Sequence, residues 1–319
     1  MKAVSFLEPL VRKHDIAVVQ SHGFRESLLG AAIRKRHPEM RHVFRVHTHI
    51  DCASIPQWRK LAYHVLDRIN SRYVDCYAAN GQYLANEIVR HSWITSRKIR
   101  VIINGREAVG IPDPRPENIE SPLPRRIAMV SNLLPRKGHD TLLEALALLQ
   151  AKRMRVDVRL VGGEATNAVV SGGTPFTDSL RERARHLGVL DQIEFYGHTR
   201  DIYAALQGFP VVVLPSDSEG VPNSILEAMS LRKLIIASRV GGVPEIILDG
   251  RDGMLHAPRD AQALASYSER VFDTPASVWQ PMRDSAYARW QREFSMEAMM
   301  NGLILVYRSL EPSGSTGGE

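Results

Sequence analysis

Apolar residues in this chain come in short, nearly unbroken runs separated by stretches with helical spacing. The runs 16–19, 43–46, 74–79 and 99–103 read as strands buried on both faces. Between them, 3–13, 26–36, 57–72 and 82–90 carry apolar side chains three or four apart and read as helices. The alternation stops at 108–124, where five prolines fall in one stretch, too many for the interior of any element. It then restarts, with strands at 126–130, 156–161, 193–196, 211–214 and 234–237 and a short extended piece at 253–255. Helices are predicted at 139–150, 177–187, 200–206, 243–248, 261–272 and 287–310. Strands separated by helices predict parallel sheets covered on both faces. The expected organisation is a first Rossmann-like domain over 1–107, a linker over 108–124 and a second such domain over 125–285. A closing helix over 286–311 and a polar, glycine-rich tail over 312–319 without fixed structure complete it.

One stretch concentrates chemistry. The buried strand 211–214 ends at Pro215, and Ile225 to Met229 has helix-forming composition, so a helix should open near Val221 to Asn223. Such an N-terminus offers free N–H groups and the positive end of a dipole to a phosphate. Glu219 and Glu227 stand eight residues apart; a diphosphate repels carboxylates, so these two suit sugar hydroxyls better. The plainer alternative is an ordinary cap, with Ser224 and Glu227 spaced as a capping box. In open parallel sheets ligands sit beyond the carboxyl ends of strands. His22, His49, Asn104, the Arg136-Lys137-Gly138 turn, Gly162 and Glu219 all follow such ends, and are expected to converge on one cleft.

Charge and cysteines narrow the classes. Residues 1–120 hold 19 Lys and Arg against 12 Asp and Glu, whereas 121–319 are nearly balanced. A basic half suits an anionic membrane surface, an acidic acceptor or nucleic acid, and the last lacks any zinc-finger, RRM or KH pattern. Arg59, Lys60, Arg68 and Arg72 share one predicted helix. No run of 18 apolar residues occurs, the opening residues do not read as a charged-then-apolar signal peptide, and two cysteines make no disulfide framework. The expected setting is a reducing cytoplasm, at most peripheral at the inner membrane face. His47 and His49 form no metal site without a carboxylate or cysteine cluster beside them.

The chain resembles the retaining GT-B glycosyltransferases of the family-4 group. The resemblance rests on 130–140 (Val-Ser-Asn-Leu-Leu-Pro-Arg-Lys-Gly-His-Asp), Val161-Gly162-Gly163, 193–197, Ser218-Glu219-Gly220-Val221-Pro222-Asn223, Leu226-Glu227-Ala228-Met229 and 241–245, with a weaker match through His22, His49 and Asn104-Gly105. It implies two Rossmann-like domains facing a cleft. Lys137, with Arg136 beside it, is implied against a donor diphosphate, Glu227 on the ribose, Glu219 on the donor sugar, and Gly162, Gly220, Val221, Pro222 and Asn223 around the phosphates. His49 is implied near sugar and acceptor, and no metal or other cofactor is required. The implied reaction moves a hexose from a nucleotide diphosphate sugar, UDP before GDP, to a polysaccharide or lipid-linked acceptor. An epimerase or hydrolase of the same fold and an inactive nucleotide-sugar-binding homologue are the alternatives. Two departures stand out. Ser131 occupies a position where many relatives carry an arginine, and the first helix resembles one lying well after the family's opening units. The second leads to the expectation of an incomplete first domain, about two β/α units upstream of Met1, poor transfer and self-association.

Overall fold

The structure, a computed structural model, describes residues 2–47, 57–92, 94–107, 119–164 and 175–310. The chain divides into two units: Met1–Asn104 with Glu297–Glu319, and Gly105–Met296.

The first unit is built on a parallel sheet of β1 (Val18–His22), β2 (Arg41–Val46), β3 (Cys76–Ala79) and β4 (Ile99–Val101), in the order β1-β2-β3-β4. Helix α1 (Lys2–Lys13) precedes the first strand, and α2 (Phe24–Arg36), α3 (Gln57–Asn70) and α4 (Gln82–Ser92) connect the strands in turn, as the periodicity predicts. Phe44, Val46, Tyr77 and Ala79 form one small core with Leu84, Ala85 and Ile88 of α4. Period-two alternation sends Val43, Cys76 and Ala78 to another cluster, where Leu303 and Val306 of the last helix cover them.

The second unit carries a six-stranded parallel sheet in the order β10-β9-β8-β5-β6-β7. Its strands are β5 (Arg126–Val130), β6 (Asp157–Val161), β7 (Ile193–Gly197), β8 (Val211–Leu214), β9 (Leu234–Ser238) and β10 (Met254–His256). Its helices are α5 (His139–Ala151), α6 (Phe176–His186), α7 (Ile202–Leu206), α8 (Asn223–Ser230), α9 (Val243–Ile246), α10 (Ala261–Asp273) and α11 (Ala276–Arg289). Strands β8 and β9 are buried throughout, which accounts for their unbroken apolar sequence. The chain winds outward from β5 to β7, then returns to place β8 on the other side of β5. That reversal makes a topological switch point between the carboxyl ends of β5 and β8.

Two expectations need correction. The helix expected over 287–310 is broken: α11 runs into a π-helical turn at Trp290–Phe294, and α12 (Met296–Leu310) starts beyond an extended Ser295. Trp290 and Phe294 are both buried, so the wider turn places the two aromatics inside together. Helix α11 falls almost wholly in a stretch to which no helix was assigned; buried Trp279, Arg283 and Ala286 hold it although Pro281 lies inside it.

Candidate functional site

At the switch point two turns meet backbone to backbone. After β5 the chain makes a tight turn at Pro135–Lys137 closed by Gly138, whose φ of +76° suits glycine. A Cβ on Gly138 would stand 1.8 Å from the Pro215 carbonyl oxygen, so only glycine lets the turn reach the loop after β8. The Asp217 N–H donates to the Arg136 carbonyl at 2.8 Å, tying the two turns together. On the other side, Gly241 at φ +52° would place a Cβ 1.8 Å from the Glu219 carbonyl oxygen, and the Gly242 N–H donates to Gly220 at 3.0 Å. The loop 215–222 is thus gripped from both flanks. Gly162 packs elsewhere in the same layer, against the Ser131 backbone that precedes the turn.

This scaffold presents two carboxylates, each already holding a cation. Lys137 Nζ lies 2.6 Å from Glu219 Oε1, and the buried Ser216 hydroxyl donates to the same oxygen at 2.7 Å. Arg106 Nη2 lies 2.9 Å from Glu227 Oε1. Glu227 is buried on α8; burial raises its pKa, and Arg106 lowers it in part. Arg136 is exposed and donates to the Ser218 carbonyl at 3.3 Å. Helix α8 opens at Asn223 with Pro222 as its cap residue and no side-chain cap bond. The capping box of Ser224 and Glu227 is therefore absent, and Glu227 faces Arg106 instead. Val221 is buried, and Gly220, Pro222 and Asn223 complete the turn into the helix.

Arg106 was not singled out from the sequence. It stands 121 positions before Glu227, in a stretch read as the exit of a strand. Its N–H donates to the Phe294 carbonyl at 2.9 Å and its own carbonyl accepts from Met296 at 3.1 Å, so pairing with the segment after α11 fixes it. A lone arginine two residues after Asn104-Gly105 carries no signal of this partnership. It supplies a second cation in a site where Ser131 offers none.

In the first unit, His22 Nδ1 and His47 Nε2 are 2.9 Å apart at the carboxyl ends of β1 and β2. His47 is lowered to about 4, by burial first and then by Arg45 and His22. Asn104 accepts from Arg45 at 3.0 Å and its N–H donates to Asn80 at 2.7 Å. His49 lies outside the described residues. Among the described residues no group of three His, Cys, Asp or Glu could hold a metal ion.

Residues 113–289 match the family model of glycosyl transferases group 1, and residues 2–108 match that of glycosyltransferase family 4. A D-inositol 3-phosphate glycosyltransferase of Streptomyces scabiei (strain 87.22) is 29% identical over 219 residues, covering 64% of this chain and 47% of that protein. A GDP-mannose-dependent alpha-(1-6)-phosphatidylinositol monomannoside mannosyltransferase of Mycobacterium tuberculosis (strain CDC 1551 / Oshkosh) is 32% identical over 162 residues, 48% of this chain and 40% of that one. The chain spans less than half the length of these curated relatives. Among solved structures, Anabaena Alr3699/HepE in complex with UDP and glucose superposes with a TM-score of 0.80 at 19% identity, over 96% of this chain and 81% of that one. The same architecture of two parallel-sheet, Rossmann-like domains, the GT-B fold, is therefore present here.

Proposed function

This chain belongs to the glycosyl transferases group 1 family, and on that premise we propose that it is a retaining hexosyltransferase. Its donor is a nucleotide diphosphate sugar, UDP-linked in preference to GDP-linked, and its acceptor a polysaccharide or lipid-linked glycan. The observation that carries this reading is the Lys137–Glu219 pair at 2.6 Å at the switch point, together with the Arg106–Glu227 pair at 2.9 Å on the helix that follows the same loop. Two cations and two carboxylates, brought together by the β5 turn, the loop after β8, α8 and the segment of Arg106, suit a ligand that is part anion and part polyol.

In transfer, the bond from the anomeric carbon to the diphosphate oxygen breaks and its electron pair leaves with the diphosphate. The acceptor oxygen bonds that carbon, and the acceptor proton departs with the leaving group. Charge grows on the diphosphate, so a cation fixed beside it is worth more in the transition state than in the ground state. Lys137 fills that role, Arg136 and the uncapped start of α8 assist, and no metal is assigned. Glu219 meets the donor sugar and Glu227 the ribose hydroxyls. The UDP preference is supported by Anabaena Alr3699/HepE, solved with UDP and with UDP-glucose. The mannosyltransferase relative is named GDP-mannose-dependent, so both nucleotides belong in the test. Calorimetric titration with UDP-hexoses and GDP-mannose should give tighter binding for a UDP-hexose, with turnover on a crude glycolipid extract that survives EDTA. Tighter GDP-mannose binding would reverse the donor assignment, and loss of turnover in EDTA would add a metal.

A further inference from the structure

Helix α3 is inside out. Its face toward the first unit is polar: Asp67 accepts from the Tyr77 hydroxyl at 3.2 Å, Asn70 donates to the Ser27 carbonyl at 3.3 Å, and His64 is buried beside His91. Its outward face is apolar. Trp58, Leu61, Val65, Leu66 and Ile69 lie there in helical register, Trp58 67% and Leu61 59% exposed. At 3.6 residues per turn, Arg59 and Arg68 border this stripe on its two sides. A soluble surface helix carries the opposite pattern, so the stripe calls for a cover.

The charge around it says which cover fits. At the C-terminal end of α3 a cavity of about 380 Å³ is lined by Arg68, Ile69, Arg72 and Lys98 among others, with no carboxylate in its wall. Lys98 Nζ is set there by two carbonyls, those of Ser71 and Val74, at 2.7 Å each. Three cations around a hollow that is continuous with an apolar stripe match a phosphate headgroup above acyl chains. Long basic side chains at the border can lie along the apolar surface and reach the headgroups, and a tryptophan suits the interface.

We propose that α3 docks this chain on an anionic phospholipid bilayer, the stripe from Trp58 to Ile69 lying in the interface and the Arg68–Arg72–Lys98 hollow taking a lipid phosphate. This site is separate from the donor site and stands whether or not the transfer reading holds. The test uses the full chain with vesicles of phosphatidylcholine alone or with phosphatidylglycerol, in flotation and with bromine-labelled acyl chains. Binding to the anionic vesicles is expected, weakening with salt, with bromine quenching that the Trp58→Phe variant loses. Leu61→Gln/Val65→Gln should abolish flotation, and Arg68→Gln/Arg72→Gln should reduce it about thirtyfold at low salt. Circular dichroism and a thermal unfolding transition like the parent's show that each variant is folded. Equal binding to neutral and anionic vesicles overturns the proposal. So does an apolar-stripe variant that still floats, or one whose only change is dissociation of a dimer, which would make a second copy the cover.

Discussion

Replacing Glu227 with Gln removes one charge and almost no volume from a buried position on α8. If this carboxylate receives the ribose hydroxyls, the variant loses a hydrogen bond to a charged acceptor, worth about 1.5–3 kcal/mol. That range corresponds to about ten- to hundredfold in affinity, and Gln, still able to accept a neutral bond, should sit near the lower end. The loss should be equal for UDP and for a UDP-hexose, since the ribose is common to both. Calorimetry with 2′,3′-dideoxy-UDP closes the cycle: the parent should bind it about as weakly as the variant binds UDP, and the variant should lose nothing further. Losses that simply add would show that Glu227 does not touch the ribose. The same substitution has a second signature without ligand. Burial raises the Glu227 pKa above its ordinary value, so the ionised carboxylate costs stability as pH rises through the raised value. Glu227→Gln should therefore raise the unliganded Tm at pH 7, and the gain should vanish below the ordinary carboxylate range.

Four further outcomes follow from the same geometry. Glu219→Gln should leave UDP affinity within about twofold and lower turnover about tenfold or more, measured by calorimetry and UDP release. Arg106→Met leaves the buried Glu227 without its cation; with the Arg106 side chain 37% exposed, screening holds the loss to about 1–2 kcal/mol, read in urea unfolding. Gly241→Ala meets the Glu219 carbonyl and a positive φ together, and should cost about 2–4 kcal/mol of stability as well as weakening UDP-hexose binding. His47 is held neutral to about pH 4 against an ordinary 6.5, so its contribution to stability is present above 6.5 and lost as pH falls toward 4. His47→Asn should flatten the fall of Tm across that window, although His22 and His42, also lowered by burial, keep part of it.

Much of this was legible because it is written in short range. Runs such as 211–214 and 234–237 can only be buried strands, and Gly-Pro punctuation at 220–222 marks where α8 starts. What escaped the sequence depends on pairing at long range. Arg106 reaches Glu227 only because its backbone is clipped to Phe294 and Met296. The break at Trp290–Phe294 keeps helical periodicity almost intact, so no spacing rule reveals it. In α3 the periodicity was visible, yet a hydrophobic stripe does not say which way it faces; His64, Asp67 and Asn70 find partners inside and leave Trp58 and Leu61 outside.

The most direct test of a nucleotide-sugar transfer site at the β5–β8 switch point is acceptor-dependent release of UDP from UDP-hexose, compared between the parent chain and Lys137→Ala. The expected result is release that requires both donor and a glycolipid or polysaccharide acceptor, and a fall of about a hundredfold in kcat in the variant, the loss of a cation aimed at the leaving group. Unchanged release from Lys137→Ala, or a parent that releases no UDP from any hexose donor with any acceptor preparation, would contradict it.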